Sequence, residues 1–385
     1  MFGPSSAQAT FGRLFGVFPI EVAADGHRPS TLGKAASGLW TFAALAVAAL
    51  GPFVVRATFE GARHFSGGVL WALLVAVVTS ALAVAANILW ALKNADRTAN
   101  LFTKVGVLKP QVIPPSKDQS PRLHLLVLFD TLRAVGEALR LAATLQMQFS
   151  PEKVAYWLLF CVIHLAPLAI DMQIWALSLF LEKGFGFIND GLKNVIVSGG
   201  ASKKNSDLFW KRLPMESRVS DLRRLHADLR TLASEVNDRY GLDMLVTIVM
   251  GRLLVVLFLY AMVATLLRGQ LPLAPQNALL EAHLALGVLA AFARVYALCH
   301  RFQRVASEAA TALDHLQRLS VEKFFDHRVS EEVHIFSMQV QSCPVQFTAL
   351  GFFPLDIALI SSIVGTVMTY LVILIQFESG DGEKT

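Results

Sequence analysis

"TYLVILIQF", Thr369 to Phe377, sets a polar residue and an aromatic at each end of a run of hydrocarbon close to the end of the chain. A polar side chain costs free energy wherever lipid surrounds it, so Thr369 and Gln376 belong against protein or water. Extended upstream at helical spacing, Ser362, Thr366, Thr369, Ile373 and Gln376 form one stripe that is polar except at Ile373. Ile363, Val367, Tyr370, Leu374 and Phe377 fall on the adjoining faces. A polar stripe through the thickness of a membrane suits a helix that lines water, whereas small hydroxyl residues also favour tight, dry helix packing. One helix cannot enclose a pore, so a pore requires several identical subunits around an axis. Asp356 and Glu378 stand near the two ends of the stripe, and repeated around that axis they would make acidic rings that favour cations. A ring of Ile373, one turn from Gln376, would be a hydrocarbon constriction that stops ions by dewetting.

The whole chain supports a membrane reading. It has 385 residues, 54% hydrophobic and 16% charged, with a mean hydropathy of +0.52, too apolar for an ordinary soluble enzyme. The apolar residues come in blocks able to cross about 30 Å of hydrocarbon. The expected spans are Ala35–Val55, Val69–Leu92, Leu123–Leu145, Val154–Leu181, Met244–Leu267, Ala278–His300 and Gly351–Phe377. The fold class is therefore an all-α, multi-pass membrane protein with seven transmembrane helices. The first 34 residues lack a compact apolar core followed by a small-residue cleavage site, so the first span is expected to act as its own insertion signal.

Charge sets the orientation. With the N-terminus inside, the inner segments hold 25 Lys and Arg, and the outer side holds Arg56, Arg63, Lys153, Arg268 and Lys384. Without the long segment 182–243, where the positive-inside rule weakens, the count is still 14 against those five. The expected topology is N-terminus inside and C-terminus outside, opposite to a G-protein-coupled receptor. The net charge of +5 follows from this topology and from anionic inner-leaflet lipid, and calls for no nucleic acid. Cys161, Cys299 and Cys343 lie in or beside spans rather than in outer loops, so no disulfide framework is expected.

Outside the membrane the bulk is on the inner side. It includes a Pro/Ser-rich linker, "KPQVIPPSKDQSP", and two long amphipathic segments. Leu222, Leu225, Leu229, Leu232, Val236 and Tyr240 make one stripe, and Phe302, Val305, Ala309, Leu313, Leu316 and Phe324 make another. Both must pack on something, either in a cytoplasmic helical collar or on the membrane surface. Enzyme signatures are nearly absent. "GFGFIN" at Gly184 lacks the third glycine and the preceding strand of a dinucleotide loop. His327, Glu331 and His334 share a helical face, but at a spacing that reads as a solvated surface rather than a metal site. No cofactor is implied.

Within the membrane, Asp130, Arg133, Glu137 and Arg140 line one face of the third span with alternating sign. Such a ladder either fixes helix packing or faces a water-filled cavity. In the second case Glu137 and Arg140 line a pocket open to the outside, opposite Tyr156, Trp157, Phe160 and His164 of the fourth span. Trp71, Tyr260 and His283 are the alternative lining. Aromatic faces with a few polar groups suit a small molecule, although interface belts supply the same residues.

These features resemble the insect gustatory receptors. Their last-span signature, Thr-Tyr, five hydrophobic residues and Gln-Phe, is matched by Thr369, Tyr370, Gln376 and Phe377, and the resemblance extends through "QFTALGFFPLDIALISSIVGTVMTY", "LRRLHADLRTLASEVNDRYG" and "FGRLFGVFP". The resemblance implies a subunit of a ligand-gated cation channel in the plasma membrane of chemosensory neurons. It implies a homo- or hetero-tetramer of identical or related subunits, with Ile373, Gln376 and Phe377 at the pore constriction. The implied ligand is an extracellular tastant and the permeant ions are sodium, potassium and calcium. In those terms, residues 1–34 are a cytoplasmic segment and 35–300 a six-helix ligand-binding region with a cytoplasmic extension at 182–243. Residues 301–345 are cytoplasmic anchor helices, 346–378 the pore-lining seventh helix and 379–385 an extracellular tail. The competing reading is a transporter or a non-conducting receptor of the same topology, although the repeated halves and broken helices of common transporters are not seen.

Overall fold

The computed structural model describes residues 20–23, 26–59, 67–112, 151–199, 214–267, 275–321 and 326–382. Among them are eight helices: α1 (Thr31–Phe59), α2 (Gly67–Lys93), α3 (Ala95–Val112), α4 (Pro151–Gly199), α5 (Met215–Leu267), α6 (Pro275–Val321), α7 (His327–Ser342) and α8 (Ala358–Gly382). Two short strands, β1 (Ile20–Ala23) and β2 (Gly26–Pro29), pair antiparallel, with Ile20 opposite Pro29. This hairpin corrects the all-α expectation. It is small, its sequence signal is the Asp25-Gly26 pair, and it is held against α3, where the His27 amide donates to Thr103 Oγ1 at 3.0 Å.

Four helices among the described residues carry a stretch long and apolar enough to cross a membrane: Thr31–Phe53, Leu70–Lys93, Met215–Ala264 and Ala358–Gln376. The segments Val154–Leu181 and Ala278–His300 are helical throughout, inside α4 and α6. Leu123–Leu145, with its charge ladder, lies outside the described residues. Helix α3 is an addition to the sequence reading. It follows α2 after Asn94 alone, and it buries Thr98, Leu101, Phe102, Val105 and Leu108 along one face. It also takes in Lys109 to Val112, the first residues of the expected linker.

The collar exists within one subunit. Helix α5 has 53 residues, about 80 Å at 1.5 Å per residue, and so extends far beyond the hydrocarbon thickness. Leu222, Leu225, Leu229, Leu232, Val236 and Tyr240 are all buried there. They join Phe185, Ile188 and Leu192 of α4, Phe302, Val305 and Leu316 of α6 and Phe336 of α7 in one core. The two amphipathic segments therefore bury their stripes against each other rather than lying on a membrane surface, with Phe324 of the second outside the described residues. Gly184, the start of the spurious dinucleotide match, has a packing role: a Cβ there would stand 2.7 Å from Leu229 Cδ1, so the missing side chain lets α4 approach α5. His226 lies in the same core, edge-on to the rings of Phe185 at 5.3 Å and Phe336 at 5.4 Å. Burial pushes its pKa down to about 4, which keeps the imidazole neutral.

The last span needs a corrected boundary. Its helix begins at Ala358, not Gly351. Leu350 and Gly351 adopt positive φ of 51° and 79°, and this left-handed pair reverses the chain, with the Phe352 amide donating to the Ala349 carbonyl at 3.0 Å. Thr348 then bridges Pro354 antiparallel, and the Leu355 amide donates to the Phe347 carbonyl at 3.0 Å.

Candidate functional site

Helix α8 has three distinct faces. Ile363 and Val367 are buried at 3% and 5% exposure, and with Ile360, Leu371 and Leu374 they form the line that packs on the rest of the subunit. Val364, Met368 and Val372 make an apolar face that is 45%, 54% and 50% exposed. Ser362, Thr366, Thr369, Ile373 and Gln376 make the third, roughly 140° round the helix from the packed line at 100° per residue. Of these, Thr366 is half-buried and the rest are exposed. The polar stripe is therefore not a dry seam inside the subunit.

Its chemistry follows from local hydrogen bonds. Thr366 Oγ1 donates to the Ser362 carbonyl at 2.8 Å, and Thr369 Oγ1 donates to the Gly365 carbonyl at 3.0 Å. Each hydroxyl proton is thus used within the helix, which lowers the cost of placing it in a membrane. What the two threonines keep available is oxygen lone pairs, acceptors suited to water and to hydrated cations. Ile373 interrupts them with a hydrocarbon side chain that is 41% exposed. Phe377 and Glu378 continue the helix.

The root of α8 is tied to the collar. Asp356 is half-buried and its Oδ1 accepts from the Leu359 amide at 3.0 Å, so it caps the helix N-terminus as well as standing at one end of the stripe. Gln303 Oε1 of α6 accepts from the Ile357 amide at 2.8 Å, and Asn237 Oδ1 of α5 accepts from the Thr348 amide at 2.7 Å. Gly241 allows the turn to dock, since a Cβ there would lie 3.3 Å from the Leu350 backbone nitrogen. Sequence reasoning missed Asn237 and Gln303, because no local pattern links them to partners 111 and 54 residues away.

Where the collar meets the membrane-spanning bundle, a layer of buried polar groups joins the helices. Arg294 of α6 pairs with Asp171 of α4 at 2.6 Å, and the same guanidinium reaches Thr247 Oγ1 of α5 at 3.4 Å. Arg239 and Asp243 pair at 3.1 Å, with Arg239 Nε donating to Thr98 Oγ1 at 2.6 Å. Tyr240 donates to Gln173 Oε1 at 2.9 Å, and Arg301, stacked 4.8 Å from the Trp175 ring, pairs with Glu182 at 2.8 Å. The signal was available: these are ionisable residues inside or bordering apolar spans.

The expected pocket residues are placed less completely. Glu137 and Arg140 lie outside the described residues. Tyr156, Trp157, Phe160 and His164 fall on α4 and His283 on α6, in portions where only the backbone is described. Tyr260 is 8% exposed and packs with Ala261 and Ala264 of α5 and Ala72 of α2 against Leu371 and Leu374 of α8. Trp71 is 69% exposed at the subunit surface, and its neighbour Ala72 supplies the contact with Tyr260. His327, Glu331 and His334 are exposed, and no group of three or more metal-ligating side chains occurs among the described residues.

A helical bundle with apolar, span-length helices, an internal collar and a polar-faced terminal helix defines a membrane-type architecture. The chain belongs to the 7tm chemosensory receptor family, whose pattern matches residues 8–380. Its fold is similar to that of the insect olfactory receptor OR5 from Machilis hrabei in complex with eugenol, with TM-score 0.69 and 13% identity over 96% of this chain and 97% of that one. A second structure of the same receptor matches with TM-score 0.68 and 12% identity over the same shares. No curated protein matches the chain.

Proposed function

We propose that the chain is a gustatory subunit of a ligand-gated, non-selective cation channel, opened by a small extracellular molecule such as a sugar or a bitter compound. The observation that carries this reading is the stripe of Ser362, Thr366, Thr369 and Gln376, exposed except for half-buried Thr366, on a helix that packs along a line roughly 140° away. In an assembly of four identical or related subunits, that stripe faces a central axis, hydroxyl oxygens accompany the ions, and Ile373 with Gln376 and Phe377 closes the path. The N-terminus is inside and the C-terminus outside, in the plasma membrane of a chemosensory cell. The small-molecule site lies in the outer half of the bundle, with Glu137, Arg140, Tyr156, Trp157, Phe160 and His164 as lining and Tyr260 leading to α8. The similar insect receptor bound to eugenol supports a small organic ligand.

Single-channel recording from the protein expressed alone tests the reading, with sugars, alkaloids and amino acids applied from outside. Discrete unitary currents carried by sodium, potassium and calcium are expected. Ligand-dependent flux without unitary events would instead identify a transporter. Glu378→Gln is expected to weaken the preference for cations with little change in gating, since it removes a carboxylate from each subunit at the outer mouth.

A further inference from the structure

Arg252 of α5, placed within the fifth span, has no counter-ion among the described residues. It follows Met244, where the fifth span begins, by about 12 Å and precedes Leu267 by about 22 Å. Its neighbours one turn to either side, Ile248 and Val256, are buried at 2% and 8% exposure, whereas Val249 is 52% exposed. Leu245 and Leu259, on the same line, pack against the main core. Arg252 therefore leaves the helix at the edge of its packed face, between buried Ile248 and Val256 and exposed Val249. The residue is half-buried, its Nε is buried without an acceptor, and no carboxylate among the described residues pairs with it. Other arginines at this depth or just below it are neutralised: Arg294 by Asp171, Arg239 by Asp243 and Arg301 by Glu182. A lysine could lose its proton in such a place, but a guanidinium cannot, so the charge has to be met from outside the described side chains.

The surroundings define the chemistry of what meets it. Leu259 and Val263, both half-buried, continue outward from Arg252 at seven and eleven residues, above buried Val256, an apolar edge reaching about 16 Å along one side of α5. We propose that Arg252 binds the anionic head of an amphiphile whose hydrocarbon chain lies along this edge, a medium-chain carboxylate entering from solution or an anionic lipid entering from the membrane. The planar guanidinium suits a carboxylate or a phosphate in bidentate contact. The inference deepens the ligand reading of the proposed function and rests on it only for its effect on current.

The test is thermal unfolding of the solubilised full chain with octanoate, with its uncharged counterpart octanamide, and with phosphatidate. One of the two anions is expected to raise the melting temperature of the parent protein where octanamide does not. Arg252→Gln should need roughly tenfold more of that anion or lose the effect, and Arg252→Lys should fall between. A response to octanoate assigns a soluble ligand, and a response to phosphatidate assigns a lipid. Equal stabilisation by octanoate and octanamide together with no response to phosphatidate overturns the site without any variant, and an unchanged response in Arg252→Gln overturns it as well. Current recording separates the two readings: octanoate binding without current counts against the channel and leaves the site standing, whereas channel currents without binding of either anion do the reverse.

Discussion

Replacing Ile373 with Ser is the sharpest perturbation of the proposed gate. Ile373 is 41% exposed in the isolated subunit, and complete burial of an isoleucine is worth about 1.5–3 kcal/mol, so closing neighbours over what remains open can contribute about 1 kcal/mol. Four subunits would give about 4 kcal/mol of closed-state stabilisation, about a thousandfold in the closed-to-open ratio. A minor open state populated at about 0.1–10% would then become substantial without ligand. Serine at this position can also donate to the carbonyl four residues back, as Thr366 and Thr369 do, so the helix itself should tolerate it. The assay is ligand-free current normalised to surface expression, with the parent and a silent variant alongside. The expected result is a standing cation current. A packing role for Ile373 would instead give poor expression or silence. Normal expression with unchanged basal current would refute the assignment and move the gate to Phe377.

Three further outcomes are expected. Arg294→Gln leaves the Asp171 carboxylate unpaired and should destabilise the protein by about 2 kcal/mol after allowance for the partly exposed guanidinium, while adding Asp171→Asn should recover part of the loss, as read in a double-mutant cycle of melting temperatures. His226 has a folded pKa of about 4 against about 6.5 unfolded, so the folded state resists protonation: stability is full above about pH 6.5 and falls as pH drops toward 4, by at most about 3 kcal/mol. Thermal unfolding at pH 7.5 and pH 5 reads this, and His226→Phe should remove the histidine's contribution to the difference. An epitope after Thr385 should stain intact cells and one before Met1 only permeabilised cells, and the reverse pattern would overturn the topology.

What could be read in advance follows the range of the forces involved. Leu222 to Tyr240 announced a buried stripe because helix periodicity is local and the collar is built from long uninterrupted helices. The polar line from Ser362 to Gln376 was visible for the same reason. The start of α8 was not, because an apolar segment "GFFPLDIALI" reads as span until the positive φ of Leu350 and Gly351 is known. The β1–β2 hairpin and the Asn237 to Thr348 tie depend on partners remote in sequence or on a two-residue turn. "GFGFIN" lacked the marks of a dinucleotide loop, and the use of Gly184 became clear only when Leu229 was found beside it. Trp71 looked like a pocket aromatic, yet the face of α2 that packs on Tyr260 is that of Ala72, 100° away round the helix.

The length of α5 bears on which changes the chain can accept. Its 53 residues contain no proline and pass from the collar to the far end of the bundle as one rod. A single residue inserted between Tyr240 and Gly251 would turn everything beyond it by about 100°, swinging Val255, Tyr260 and Ala264 off their neighbours while Leu222 to Val236 stay in place. Insertions of seven or eleven residues restore the facing to within about 20°, but they lengthen the rod by about 10–16 Å and carry Thr247 or Tyr260 out of level with Arg294 and Leu371. Length variation should therefore gather in the connections between helices, and chimaeras between relatives should be joined there or at matched positions inside α5, with the residue count kept constant.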